Sequence, residues 1–177
     1  MIDLMGPAPG FDTPLAMLSA CHRRIERRLE QLAPIAERLS EPDTTRHAEA
    51  LRVLEEVRRH FATSGAHHTD DEELTLFPML RAMPNAGLGE LIDVLEADHQ
   101  VIDAMHAELD ALCERLHAAV TPEDVEALRA LGADLKVHYD RHIRQEDAQI
   151  LPKAAELLSP EQITNLGFEM RRRRGAL

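Results

Sequence analysis

Histidines occupy core positions in four helical segments of this 177-residue chain. Apolar residues recur with the spacing that places them on one face of a helix in a bundle. His22 and His99, however, occupy positions in the first and third segments where this pattern favours leucine. The apolar rows of the second and fourth segments continue into His68 and His142. Because each buried polar group without a partner costs about 1–3 kcal/mol, so many in one core indicate a shared role.

Capping signals and prolines divide the chain into four long helices and a short one. Thr13 and Pro14 open the first helix, which is predicted to run to about residue 39 with a kink at Pro34. The other helices are predicted at about 45–81, 88–118, 121–157 and 160–174. Long helices joined by short loops predict an all-α, antiparallel up-down four-helix bundle with a short C-terminal helix. We expect one domain over residues 1–177, with its core at about 13–157.

Composition argues against several classes of partner. The formal net charge of −12 is unfavourable for binding nucleic acid or an anionic membrane. No segment approaches the ~18 apolar residues that span a bilayer, and the N-terminus lacks the pattern of a signal peptide. Cys21 and Cys113 lack metal-site spacing and are expected to be free thiols, so we expect a cytoplasmic protein. The basic run Arg171–Arg174 is expected to be a solvated helix end.

The chain contains an internal repeat. HTDDEELTLFPML at 68–80 aligns with HIRQEDAQILPKA at 142–154, and His, Glu and Pro coincide. The segment 18–32 aligns with 95–109, which matches His22 with His99. The pattern indicates a duplicated helical hairpin, each half of which supplies one isolated His and one His-x-x-x-Glu pair.

The His-x-x-x-Glu spacing suits metal binding. Residues four apart on a helix differ by only ~40° in direction, so each pair can aim two ligands at one point. Imidazole and carboxylate together suit Fe, Mn or Zn. Since carboxylates can bridge, six such ligands can serve two metal ions and leave positions open for O2, NO or peroxide. The predicted metal ligands are His22, His68, Glu72, His99, His142 and Glu146.

This order of motifs resembles the hemerythrin-like (HHE cation-binding) domain family over about residues 13–157. The resemblance implies a non-haem site in which an oxo or hydroxo group bridges two iron ions. It also implies that Glu72 and Glu146 bridge the irons and that the four histidines are terminal ligands. Oxygen-carrying members have a second His four residues after that of the third helix, and here Asp103 occupies that position. Their last carboxylate follows its His by five residues, whereas Glu146 follows by four, which indicates a simpler bacterial ligand set.

The resemblance implies binding of O2 or a related small molecule, NO or peroxide, for sensing, storage or stress protection. A di-iron oxidoreductase that turns over peroxide or NO is an alternative, so enzymatic activity stays open. A third alternative is a helical interaction module that holds zinc or no metal.

Gly65 leaves one ligand ambiguous. Because Gly costs ~1 kcal/mol in a helix interior, the second helix could break there, and His67 would then replace His68. Asp70, Asp71 and Glu73 are expected to face solvent or to orient imidazole N–H groups. Four more residues lie close enough along the helices to join the site or its surroundings: Asp103, His106, His138 and Tyr139.

Overall fold

The computed structural model describes residues 9–83 and 87–176, and these residues form an all-α structure. The α-helices are α1 (Pro14–Leu29), α2 (Leu32–Ser40), α3 (His47–His60), α4 (Ala66–Asp71), α5 (Phe77–Arg81), α6 (Gly89–Ala118), α7 (Pro122–Gln145), α8 (Leu151–Leu157) and α9 (Pro160–Arg173). The first long helix of the bundle consists of α1 and α2, the second of α3 to α5, the third of α6, and the fourth of α7 and α8. The predicted four-helix bundle with a short C-terminal helix is confirmed.

π-Helical turns join the pieces of the second and fourth long helices without a break. They lie at Phe61–Gly65, Glu72–Leu76 and Glu146–Ile150. Gly65 keeps right-handed helical angles, with φ −64° and ψ −51°, so the second helix continues through it. The helix therefore runs from α3 into α4 without a break, and the π-turn inserts one extra residue into it.

Two predicted features fall partly outside the described residues. These are the N-terminal residues 1–8, where the sequence lacks a signal-peptide pattern, and residues 84–86 of the loop expected before the third helix. Gly87, two residues before α6, has a φ of 67°, a left-handed conformation that favours glycine. Within the described ranges, no helix is both long enough and apolar enough to cross a bilayer.

The helices begin at the predicted capping signals. The Thr121 hydroxyl accepts a hydrogen bond from the Asp124 backbone N–H and begins α7. Ser159 and Gln162 form a complete capping box at the start of α9. At α1, Thr13 is the N-cap residue and Pro14 the first helical residue, as predicted, although the Thr13 hydroxyl makes no hydrogen bond to the helix.

The predicted kink of the first long helix lies one turn before Pro34. Glu30 and Gln31 form a turn that separates α1 from α2. Because proline has no N–H and its ring clashes with the carbonyl four residues earlier, Pro34 disrupts the helix at Glu30.

Two apolar clusters fill the bundle, and a polar layer separates them. On the first helix, Leu18 belongs to one cluster and Ile25 to the other, while His22 lies between them. The third helix repeats this order over residues 95–102. Since every long helix contributes a polar side chain to the same layer, the candidate site lies inside the bundle between two water-excluding clusters.

The C-terminal helix α9 packs against one end of the bundle and against the N-terminal segment. Its Leu166 and Met170 are buried within the cluster that contains Leu18. A Cβ atom added to Gly167 would lie 2.0 Å from the carbonyl oxygen of Phe11. This contact therefore requires the absence of a side chain at position 167.

We expect Gly167→Ala to weaken this contact. The added methyl group forces the backbone at Phe11 away from α9, and overpacking of this kind costs about 1–3 kcal/mol. Thermal unfolding measures the loss as a lower Tm. Gly89→Ala is the control, because its Cβ would meet no atom within 4 Å. Equal melting temperatures for the two variants would show that the close contact does not stabilise the protein.

Candidate metal centre

The six predicted ligand residues converge in the polar layer. Each is at most 4% exposed. Their ligand atoms form two groups that could each hold a metal ion, with atoms that lie within 4.8 Å of one another. One group contains His22 and His68, the other contains His99 and His142, and both contain the two glutamates, Glu72 and Glu146.

Glu72 presents one carboxylate oxygen to each histidine pair. Its Oε1 lies 3.4 Å from His68 Nε2 and 3.9 Å from His22 Nε2. Its Oε2 lies 3.5 Å from His99 Nε2. This is the arrangement of a carboxylate that can bridge two cations.

Glu146 is arranged in the same way from the opposite half of the repeat. Its Oε2 lies 3.1 Å from His22 Nε2, and its Oε1 lies 3.1 Å from His142 Nε2. The Nε2 atoms of His142 and His99 are 3.0 Å apart. Each histidine pair therefore faces one oxygen from each glutamate, which gives two sets of two nitrogens and two oxygens.

Local helix geometry aims these side chains. A π-helical turn begins at each glutamate, and π-turns insert an extra residue into a helix, frequently at functional sites. The continuous helix through Gly65 directs His68 into the site, where it is 4% exposed, while His67 is only partly buried. The geometry therefore brings His68, rather than His67, to the ligand groups.

Several polar atoms of the site have no hydrogen-bond partner. They include both carboxylate oxygens of Glu72, both of Glu146, and Nε2 of His22. Two carboxylates that face each other without partners are costly to bury unless cations compensate their charge. The donor set of imidazole nitrogen and carboxylate oxygen fits iron, manganese or zinc.

The ionisation of the site reflects the competition between burial and close opposite charges. Burial by itself would lower the pKa of His22, but its hydrogen bond to Asp147 and the nearby negative charges of Glu146 and Glu72 raise it to about 12. The same competition raises the pKa of His99 to about 9, with Glu72 as the main partner. At His68 burial dominates and lowers the pKa. Although burial would raise the pKa of Glu72 and of Glu146, the facing histidines hold both below their usual range, so both carboxylates stay ionised.

Carboxylates outside the two ligand groups orient two of the imidazoles. His22 Nδ1 donates to Asp147 Oδ1 at 2.8 Å, and His99 Nδ1 donates to Glu73 Oε1 at 2.8 Å. Such bonds fix the tautomer and leave Nε2 free to bind a metal. The sequence predicts that Glu73 could orient an imidazole. Sequence reasoning misses Asp147, although the internal repeat aligns this residue with Glu73.

Asp71 corrects the expectation of a solvated face beside the site. It is completely buried, and its two oxygens accept hydrogen bonds from Arg173 at 2.9 Å and Arg174 at 2.7 Å. The expectation that the basic run 171–174 is solvated is therefore wrong for its last two residues. These ion pairs attach α9 to the helix that carries His68.

The other residues considered for the site lie outside the two ligand groups. Asp103 is exposed. His106 stacks on Phe61 at 4.6 Å between ring centroids and accepts a hydrogen bond from the Tyr139 hydroxyl at 3.3 Å. Tyr139 is buried, and His138 is partly buried.

Both cysteines are buried free thiols, as predicted. Burial raises the pKa of the Cys113 thiol to about 12, so this group stays protonated. Neither Cys21 nor Cys113 belongs to the two ligand groups, which consist of imidazoles and carboxylates.

Comparison with known proteins places this geometry in a family. The family profile of the hemerythrin HHE cation binding domain matches residues 13–154. An uncharacterised protein of Haemophilus influenzae is 29% identical over 165 residues, which cover 93% of this chain and 91% of that protein. The profile match encloses both halves of the repeat and all the candidate ligands.

We expect Asp71→Asn to destabilise the protein and to release α9. Removal of the charge leaves two largely buried guanidinium groups without a counter-ion, at a cost on the order of 3 kcal/mol. Thermal unfolding and the rate of tryptic cleavage in α9 measure the effect. Asp70→Asn is the matched control, because the neighbouring carboxylate is exposed. If both variants melt and are cleaved alike, the ion pairs do not hold α9 in place.

Proposed function

The chain belongs to the hemerythrin HHE cation-binding family, and from this premise we propose that it binds two iron ions inside the bundle. The observation that carries the proposal is the pair of glutamates whose oxygens each face a different pair of histidines. A single metal ion would use one of the two ligand groups and leave the other histidine pair without a cation. Two ions that share both carboxylates use every ligand atom.

The proposed ligand set gives each iron four protein donors. One iron would be held by His22 and His68, the other by His99 and His142, and both by the shared glutamates. Four donors leave positions open on an ion that accepts six. Iron in such a set supplies redox chemistry and binding positions for O2, NO or peroxide.

The surrounding residues would control what reaches the site and how it is protonated. The apolar clusters on either side exclude water from the polar layer, which strengthens the electrostatic interactions within that layer. A cavity of about 150 Å³ lies among the second, third and fourth long helices, with Ile102 and Tyr139 in its wall. None of the six candidate ligands lines this cavity, but Ile102 and Tyr139 lie one helical turn from His99 and His142, and the volume suits a molecule of a few atoms.

We propose that binding of such a small molecule serves sensing, storage or stress protection. A di-iron oxidoreductase that consumes peroxide or NO is the second candidate, and Tyr139 favours it. Burial raises the pKa of Tyr139, so its hydroxyl stays protonated in the cavity wall and can donate a hydrogen bond to a molecule held there. The same ligands also suit zinc, which a direct metal analysis distinguishes from iron.

We expect anaerobically purified protein to contain about two iron ions per chain, because the ligand atoms divide into two complete groups. Metal analysis, ultraviolet–visible absorption and Mössbauer spectroscopy after oxidation measure the iron and detect a bridged diferric centre. His68→Ala should lower the iron content and abolish the charge-transfer band, whereas His67→Ala should preserve both. A colourless protein with less than one iron ion per chain would overturn the proposal, and stoichiometric zinc would support the interaction module instead.

Reactions of the reduced protein should separate the two functions. A reversible spectral change on addition and removal of O2 or NO indicates a binding protein. Continuous consumption of peroxide or NO with a reductant indicates an enzyme. In that case Tyr139→Phe should slow turnover without a change in iron content, since it removes the hydrogen-bond donor and keeps the packed ring.

A further inference from the structure

The two halves of the repeat differ at the residue that precedes the isolated histidine. The alignment that matches His22 with His99 also matches Cys21 with Asp98. Both residues are buried, and each lies on the helix next to a candidate ligand. The sequence repeat therefore places a carboxylate beside one ligand group and a thiol at the corresponding position beside the other.

Asp98 faces an imidazole that lacks a hydrogen-bond partner. Its Oδ2 lies 3.8 Å from His142 Nδ1, and both atoms are buried without a partner. A shift of about 1 Å would bring the two atoms into hydrogen-bonding distance. Arg141 holds the other oxygen of Asp98 and so orients the carboxylate. The arrangement suits a carboxylate that closes on His142 when Nε2 of that ring binds a metal.

His68 has no such carboxylate. Its Nδ1 is buried without a partner, and no acidic side chain among the described residues lies within 4 Å of that atom. The thiol of Cys21 is a weak hydrogen-bond acceptor, and it already contacts the Arg24 guanidinium at 2.9 Å. His68 thus differs from His22, His99 and His142, each of which has a carboxylate within 4 Å of its Nδ1.

We propose that the two metal positions are unequal, and that the position at His99 and His142 fills first and binds its ion more tightly. At that position Glu73 and Asp98 each bring an outer carboxylate, one outside the ligand groups, within 4 Å of a histidine Nδ1, whereas among the described residues only Asp147 does so at the other. Outer carboxylates orient the ring and make it a stronger ligand, and their removal typically lowers metal affinity by about 10–100-fold. This inference rests on the proposed binding of two metal ions, and it assigns Asp98 the role of a positioning residue.

Titration of the metal-free protein with Co²⁺ tests the inequality. We expect two binding steps in calorimetry and in the visible spectrum, with the first at least about tenfold tighter. His142→Ala should remove the tight step, and His68→Ala should keep it and remove the weak one. Two steps of equal affinity, or the loss of the same step in both variants, would overturn this inference while two-metal binding stands. Failure to bind any Co²⁺ would overturn the proposed function and the inference together.

Substitutions outside the ligand set test the role of Asp98. Asp98→Ala should weaken the first step about tenfold and leave the second unchanged, while Asp98→Asn, which keeps an acceptor oxygen, should have a smaller effect. Asp103→Asn on the same helix is the control, because its carboxylate is exposed and outside both groups. An unchanged first step in Asp98→Ala would refute the positioning role.

The reverse substitution removes no existing carboxylate or ligand. Cys21→Asp places a carboxylate at the corresponding position of the other half, where Arg24 can pair with it as Arg141 pairs with Asp98. We expect the second binding step to become tighter and to approach the first. If Cys21→Asp binds Co²⁺ with the wild-type difference between the steps, the missing carboxylate is not the cause of the inequality.

Discussion

Two buried glutamates that face each other across the bundle are the constraint on which the rest of the structure depends. Glu72 and Glu146 bring two negative charges into a core where neither has a hydrogen-bond donor for its oxygens. Burial of this kind is stable only with compensating positive charge. The four histidines that surround the glutamates, and the cations that we propose between them, supply it. The apolar clusters on either side keep water from weakening these interactions.

The two halves of the repeat depend on each other at this site. Each glutamate contacts histidines from both halves, and the acidic residue after each glutamate binds an imidazole of the opposite half. A separated hairpin would therefore hold an incomplete set of ligands and unpaired histidines. Both metal positions share both carboxylates. A difference between the halves in a residue outside the ligand groups, such as Asp98 in one and Cys21 in the other, therefore affects a site that contains ligands from both halves.

The C-terminal helix extends the charge compensation beyond the ligands. Asp71 lies on the helix that carries His68 and Glu72, but it faces α9 and is neutralised by two arginines from the far end of the chain. The same helix α9 holds the N-terminal segment through the close contact at Gly167. Helix α9 thus joins the segment at Phe11 and the helix that presents His68 and Glu72 at one end of the bundle.

Local periodicity determined the helices and the residues that point into the bundle. The spacing of apolar residues and the internal repeat were enough to select the six residues that meet in the core, because helical phase is a property of neighbouring positions. The choice between His67 and His68 depended on whether the helix continues through Gly65, which local propensity leaves open. Only the tertiary structure decided the partners of Asp71, Asp98 and Asp147. Their contacts depend on how helices far apart in the sequence rotate and pack against one another, and no local pattern encodes that relation.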